Sequence, residues 1–277
     1  MNADKIAELY DFSGQTVVIT GGTGVLGSEM VRALGGCNAN VVLLGRSLTR
    51  AEDLLLSLPK AKGRHSALRA DVLDRESIEV AERTVLERYG KVDCLINGAG
   101  GNDPQATTNA ERTFFDIPPA TFQHVVSLNL LGTLIPTQVF ARSMAARKSG
   151  NILNVSSVSA VRPLSRVGGY GASKAAISNL TQWLAVHLAE EYSPNIRVNA
   201  IMPGFFLTEQ NRFLLTDKET GALTQRGRKI MDHTPMARFG SPEDLNGALL
   251  WLLSPASRFV TGIVLPVDGG FTAASGV

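Results

Sequence analysis

The stretch T-V-V-I-T-G-G-T-G-V-L-G, from Thr16 to Gly27, decides the fold. Val17, Val18 and Ile19 make an apolar run that is too short for a helix and rich in β-branching, so it reads as a buried parallel strand. Glycines follow at once, and then Met30, Val31 and Leu34 recur at helical spacing. Strand, tight turn and helix is the context in which a glycine cluster holds a dinucleotide, because backbone N–H groups meet the pyrophosphate at the positive end of the helix. A flexible linker also contains glycines, but not between an apolar strand and an amphipathic helix.

Outward from this unit, strand and helix patterns alternate. Strands fit Thr16–Thr20, Asn40–Gly45, Arg64–Ala70, Val92–Ile96, Asn151–Ser156, Ile196–Ile201 and Val264–Val267. Helices fit Gly24–Leu34, Leu48–Leu58, Arg75–Tyr89, Pro119–Arg147, Gly169–Tyr192 and Pro242–Leu253. The alternation predicts an α/β chain: a single Rossmann-type doubly wound domain, with a seven-stranded parallel sheet and helices on both faces. A cofactor half would run over about 1–150 and a catalytic and substrate half over about 151–277. Gly101 to Ile117 and Phe205 to Phe239 fit no long element and read as binding loops.

The catalytic signal lies in the second half. Tyr170 and Lys174 stand four residues apart in Y-G-A-S-K, thirteen residues after Ser157 in N-V-S-S. Positions i and i+4 share one helix face, so the ammonium can lie beside the phenol. A free phenol, with a pKa near ~10, is a poor acid or base at neutral pH; a close cation favours the phenolate and lets it exchange a proton. Ser157 would add a second hydrogen bond to the same substrate oxygen. Asn129, in N-L-L-G, sits within an otherwise apolar helix, where an amide must be satisfied. The plain alternative for Asn129 is a bond to its own helix backbone, with a kink.

Bulk properties fit a one-domain enzyme. The chain has 277 residues and a formal net charge of only +2, so nothing points to nucleic-acid capture. Cys37 and Cys94 provide neither a disulfide framework nor a zinc site, and no metal is expected. No apolar run is read as reaching transmembrane length and Met1 to Ser13 is polar, so a cytoplasmic location is expected. His187 and the stripe of Ile177, Trp183, Leu184 and Leu188 read as core or subunit contact.

Together the motifs resemble the short-chain dehydrogenase/reductase family over nearly the whole chain. The landmarks occur in the family's order: Thr20 to Gly27, Asp71-Val72, N-G-A-G at Asn97 to Gly100, N-L-L-G at Asn129 to Gly132, N-V-S-S at Asn154 to Ser157, Y-G-A-S-K, Pro203-Gly204, and V-D-G-G at Val267 to Gly270. One departure is Val25, where the family's usual pattern has glycine; Gly24 shifts the middle glycine by one. The resemblance implies a catalytic set of Asn129, Ser157, Tyr170 and Lys174. In that set Asn129 holds a water linking Lys174 to solvent, and Lys174 also binds the nicotinamide ribose. It implies cofactor contacts at Gly21, Thr23, Gly24, Val25, Leu26, Gly27, Arg46, Ser47, Asp71, Val72, Asn97, Gly98, Ala99, Tyr170, Lys174, Pro203, Gly204 and Phe206. A homotetramer is also implied.

The second strand ends L-L-G-R-S, with Gly45, Arg46 and Ser47 where NAD-preferring relatives place a carboxylate about twenty residues after the glycine turn. Losing the carboxylate removes repulsion of a 2′-phosphate, and a guanidinium adds a charge-assisted donor. NADP(H) is therefore favoured, with NAD(H) the alternative, because an arginine can also stack on adenine.

Candidate substrate walls carry Asn102, Ser159, Arg162, Arg166, Gln210, Asn211 and Arg212, a polar and cationic set suited to a hydroxylated acid and unlike an apolar steroid or acyl pocket. The strings 97–108, 129–140, 170–187, 203–212 and 265–277 are similar to the D-mannonate oxidoreductase (fructuronate reductase) branch. That likeness implies interconversion of D-mannonate and D-fructuronate; gluconate 5-dehydrogenase or another polyol or ketone reductase is the near alternative. A dinucleotide-binding regulatory protein without turnover is the non-enzyme alternative, which has no physical need for the four catalytic side chains.

Overall fold

The computed structural model describes residues 2–58, 62–207, 215–217 and 220–275. Strands β1 (Thr16–Thr20), β2 (Asn40–Gly45), β3 (Ser66–Arg69), β4 (Cys94–Asn97), β5 (Gly150–Val155), β6 (Ile196–Pro203) and β7 (Val264–Val267) pair in parallel in the order β3-β2-β1-β4-β5-β6-β7. The helices are α1 (Ala3–Leu9), α2 (Val25–Gly36), α3 (Leu48–Leu56), α4 (Arg75–Tyr89), α5 (Pro119–Val126), α6 (Gly132–Arg147), α7 (Gly168–Glu191), α8 (Gln225–Asp232) and α9 (Asn246–Leu253). The expected doubly wound parallel sheet is therefore present as one domain. The strand order reverses between β1 and β4, and ligands gather outside the carboxyl ends of strands at such a point.

Alternation along the central strands divides the core into two layers. Val17, Ile19, Val41, Leu43, Cys94 and Ile96 pack with Met30, Val31 and Leu34 of α2 and Leu249, Leu252 and Leu253 of α9. Val18, Val42, Leu44, Leu95 and Ile152 face the other way, onto Ile78 and Val85 of α4, Phe140 and Met144 of α6, and Leu184 and Leu188 of α7. Each such side chain contributes about 1.5–3 kcal/mol by leaving water, so burial on both faces of the sheet fixes the register of the strand ends that build the site.

Several expected boundaries move. The helix read as continuous over Pro119–Arg147 is divided by a π-helical segment at Ser127–Leu131. Pro136 has no N–H to continue the ladder, and the helix restarts at Gly132. Contrary to the expectation that no apolar run reaches membrane length, Pro119–Arg147 does so by length and hydropathy, yet half of that window is buried, with Phe140 and Met144 packed against β4 and β5. Pro242–Leu253 is split into a 3₁₀ turn, Pro242–Leu245, and α9. Helix α1 matches no predicted element; none of its residues is buried, so its sequence carries no core-facing stripe. On α7, Ile177, Leu184 and Leu188 are buried as expected, whereas Trp183 is exposed and stacks on His187.

Candidate active site

Gly21 begins the glycine turn with φ +69°, and a Cβ there would stand 2.5 Å from the Gly98 carbonyl carbon and oxygen. Only glycine allows this backbone-to-backbone approach of the β1 turn to the end of β4. Gly24 is the N-cap of α2 and Val25 its first residue, with no side chain capping the helix. This accounts for the shifted glycine: the middle glycine of the pattern serves as the helix cap. The turn forms one wall of a cleft of about 340 Å³ lined by Thr20, Gly21, Gly24, Val25, Leu26, Gly27, Gly98, Gly100, Gly101, Tyr170 and Lys174, among others. The cleft fits a dinucleotide on this structure's own terms. It opens at the sheet's switch point, leads from the first amides of α2 to a phenol and an ammonium, and is walled by glycines where side chains would fill it.

Tyr170 and Lys174 share the inner face of α7, with Lys174 Nζ 5.5 Å from the Tyr170 ring centroid. Lys174 is buried and donates to the Val155 carbonyl at 2.7 Å. Ser156 Oγ donates to the Lys174 carbonyl at 3.3 Å and lies 2.7 Å from Ser178 Oγ, tying the end of β5 to α7. That joint places Ser157, the next residue, beside Tyr170, where its hydroxyl favours the phenolate. Ser157 Oγ also accepts from the Ser159 amide at 3.2 Å.

The expected lowering of the phenol by Lys174 is not present. Burial pushes Tyr170 up, and the Ser157 hydrogen bond opposes it only in part. Lys174 instead is held down, to about 8, by burial. The physical reason is depth: Lys174 is buried, and its ammonium is engaged by the Val155 carbonyl. Lys174 thus titrates before Tyr170. The protonated pair persists below pH 8, and the ammonium is lost as pH rises through that value. We expect kcat/KM for carbonyl reduction, which reports the free enzyme, to fall on the alkaline side with an apparent pKa near 8. A profile flat to pH 10 would rule out this assignment.

Asn129 is wholly buried in the π segment. Its Nδ2 donates to the Gly101 carbonyl at 2.7 Å and to the Val125 carbonyl at 2.8 Å, and its Oδ1 accepts from the Gly101 amide at 3.1 Å. The amide therefore bonds its own helix and also clamps the loop after β4. A Cβ at Gly100 would lie 2.5 Å from Asn129 Oδ1 and 3.5 Å from Lys174 Nζ, so this loop forms the floor between the two side chains.

The other predicted contacts separate. Gly21, Gly24, Val25, Leu26, Gly27, Gly98, Tyr170 and Lys174 line the cleft. Thr23 is exposed on the turn, and Arg46 and Ser47 are exposed at the end of β2. Asp71 follows β3 and accepts from the Leu73 amide at 3.0 Å; Val72 packs where Gly132 leaves room. The Ala99 amide donates to Thr20 Oγ at 3.2 Å. Pro203 pairs with Val267, and the Gly204 amide donates to the Val267 carbonyl.

Two side chains do not face the cleft as expected. Asn97 lies on the same strand face as Leu95, where its Nδ2 donates to Thr137 Oγ1 and Asn154 Oδ1, both at 2.9 Å. Phe206 packs into the α2/α9 core layer and forms a bridge with Gly240. Of the substrate candidates, Asn102 is exposed and donates to Thr107, and Arg162 donates to the Thr272 carbonyl. Ser159 is buried beside Ser157, and its hydroxyl has no partner among the described residues. Gln210, Asn211 and Arg212 lie outside the described residues. Gly101, at the start of an expected binding loop, also lines the cleft, whereas Thr20, Gly100 and Val155 were missed; the end of β1 and the glycines of 97–100 carried the signal.

A family model described as short chain dehydrogenase matches residues 15–219. The chain belongs to the short-chain dehydrogenase family. Its similarity to the uncharacterized oxidoreductase UxuB of Bacillus subtilis (strain 168) is 47% identity over 96% of this chain and 98% of the relative. It is 43% identical, with a TM-score of 0.91, to a Haemophilus influenza protein provisionally named a D-mannonate oxidoreductase and solved with bound NAD, over 98% of this chain and 100% of that one. A gluconate 5-dehydrogenase of Burkholderia cenocepacia, solved with NADP and tartrate, is 28% identical with a TM-score of 0.84, over 97% of this chain and 99% of that one. The protein is thus an oxidoreductase of alcohol and carbonyl groups that uses a nicotinamide dinucleotide, as expected, and the regulatory alternative is set aside.

Proposed function

We propose that this short-chain dehydrogenase interconverts a sugar acid and its keto form, with D-mannonate and D-fructuronate as the pair. The observation that carries the reading is the serine–tyrosine–lysine cluster at the mouth of a glycine-walled cleft, on a chain similar along its full length to the D-mannonate oxidoreductase relative. The nicotinamide supplies or accepts the hydride when bound. Tyr170 gives its phenolic proton to the substrate carbonyl oxygen in reduction and takes it back in oxidation. Its raised pKa keeps that proton in place until the oxygen gains charge. Ser157 holds the same oxygen, and Lys174 keeps a positive charge beside the phenol as the proton leaves. Asn129 holds the 98–101 floor in position.

For the cofactor, Arg46 and Ser47 stand exposed at the end of β2 with no carboxylate between Gly45 and Leu48, which supports NADP(H). The NAD bound by the relative at 43% identity favours NAD(H) as the second reading. For the substrate, the second reading is gluconate, favoured by the gluconate 5-dehydrogenase relative. One panel separates all four: D-fructuronate, 5-ketogluconate, neutral ketoses and simple ketones, each followed by absorbance of the reduced cofactor with both dinucleotides. We expect D-fructuronate with NADPH to give the highest kcat/KM. Activity confined to 5-ketogluconate would transfer the protein to the gluconate branch, and activity confined to uncharged ketones would reject a sugar acid altogether.

A further inference from the structure

Three segments outside the catalytic cluster converge on two arginines. Arg226 lies in the first turn of α8 and reaches across to Ser165 Oγ at 3.4 Å. Arg166 is the neighbour of that serine, and its carbonyl accepts the Thr108 amide at 3.2 Å, from the loop after β4. Arg166 is also four residues before Tyr170, at the entrance to α7. The far end of α8 is fixed in turn: the Met236 amide donates to the Gly269 carbonyl, beyond the end of β7. Both arginines therefore stand on the side of the sheet where the strands end and the phenol opens.

Neither guanidinium has an acidic partner among the described residues. The contrast with Arg238, held bidentately by Asp244, is direct. Burial and the charge of Arg166 together hold Arg226 below the usual arginine value, so the two cations repel at a site partly removed from water. Arg166 is also kept in the left-handed backbone region, with φ +77°, which is costly for a side chain of this kind. Unrelieved like charge and a strained backbone at one place are unfavourable for the protein alone. An anion held by both guanidinium groups would remove the first cost.

We propose that Arg166 and Arg226 form the carboxylate-binding end of the substrate site, Arg226 as the half-buried fork and Arg166 as the exposed second charge. The assignment rests on the sugar-acid reading above and deepens it: the acid group is selected by a cation pair contributed by α8 and the segment before α7, while Tyr170 works on the reacting carbon further along the same molecule. The sequence alone makes Arg212 the first choice for this role, with Arg162 and Arg166 as further candidates; Arg212 lies outside the described residues.

The test compares D-mannonate with its uncharged amide in the oxidation assay. Arg226→Gln should raise KM for the acid roughly 10- to 150-fold, as loss of a charged hydrogen-bond partner does, while the Kd for reduced cofactor, read by fluorescence, stays at the wild-type value. Arg226→Lys keeps the charge without the fork and should fall between. Arg166→Asn suits the left-handed backbone and should lower the acid-over-amide preference by a smaller factor. Unaltered preference in Arg226→Lys and Arg166→Asn, both binding cofactor normally, would overturn the assignment while leaving the sugar-acid reading intact. Wild-type protein inert toward every sugar acid would overturn both.

Discussion

Tyr170→Phe should bind the dinucleotide as tightly as the wild type and lose roughly 10²- to 10⁴-fold in kcat, the range that one positioned proton donor contributes. That loss is about 3–5 kcal/mol of barrier. The phenyl ring keeps its packing in α7 and its place beside Lys174 Nζ. What disappears is the hydroxyl that Ser157 holds and that burial keeps protonated. Two comparisons sharpen the result. A loss of cofactor affinity alongside turnover would place the hydroxyl in cofactor binding, and undiminished kcat would remove Tyr170 from proton transfer. Ser157→Ala should fall between, because it removes one hydrogen bond to the substrate oxygen and leaves the donor.

The fold was legible because short apolar parallel strands declare themselves. β1, β2 and β7 begin and end at the residues read from sequence, since each is a short apolar run bounded by a change in composition. Tyr170, Lys174 and Ser157 were legible for a related reason: helical spacing and a strand end leave few places for them to go. Asn97 shows where motif reading falls short. Its motif implied the cleft, but the parity of β4 puts its side chain with Leu95, under α6 and α7, in contact with Thr137 and Asn154. Alternation along β4 held that answer. Phe206 was likewise assigned by motif, while its side chain serves the core layer that α2 and α9 cover.

Charge partnership was the least legible property. Arg162, Arg166 and Arg238 are equivalent letters in a sequence. In the structure Arg162 is bound to a carbonyl and Arg238 to a carboxylate, while Arg166 adds its charge near Arg226, which a helix some sixty residues away brings to the neighbouring Ser165. No local pattern encodes that convergence, because it depends on where α8 sits against the segment before α7. The pKa order of Tyr170 and Lys174 was hidden for the same reason. Spacing places the two groups together, but the direction of each shift depends on depth, opposed at Tyr170 by Ser157.

Asn129→Ala should be the most informative structural variant, because it separates a proton-relay role from a scaffold role. The substitution strips partners from the Gly101 amide, the Gly101 carbonyl and the Val125 carbonyl at once. Buried groups left unpaired cost about 1–3 kcal/mol each, and entry of water recovers part of that. We therefore expect a net destabilisation of about 2–4 kcal/mol and a fall in Tm of roughly 5–15 °C. Freed from its clamp, the 98–101 loop would no longer hold Gly100 against Lys174, so cofactor affinity and kcat should both decline. A residue that only carried a proton would give a different signature: kcat would drop while Tm and cofactor Kd held. Thermal melts, cofactor titration and turnover measured on one preparation distinguish the two. Unchanged Tm would defeat the clamp reading, because the buried Val125 carbonyl and the half-buried Gly101 amide and carbonyl cannot lose their partners without cost in a site where Asn129 has no exposed surface.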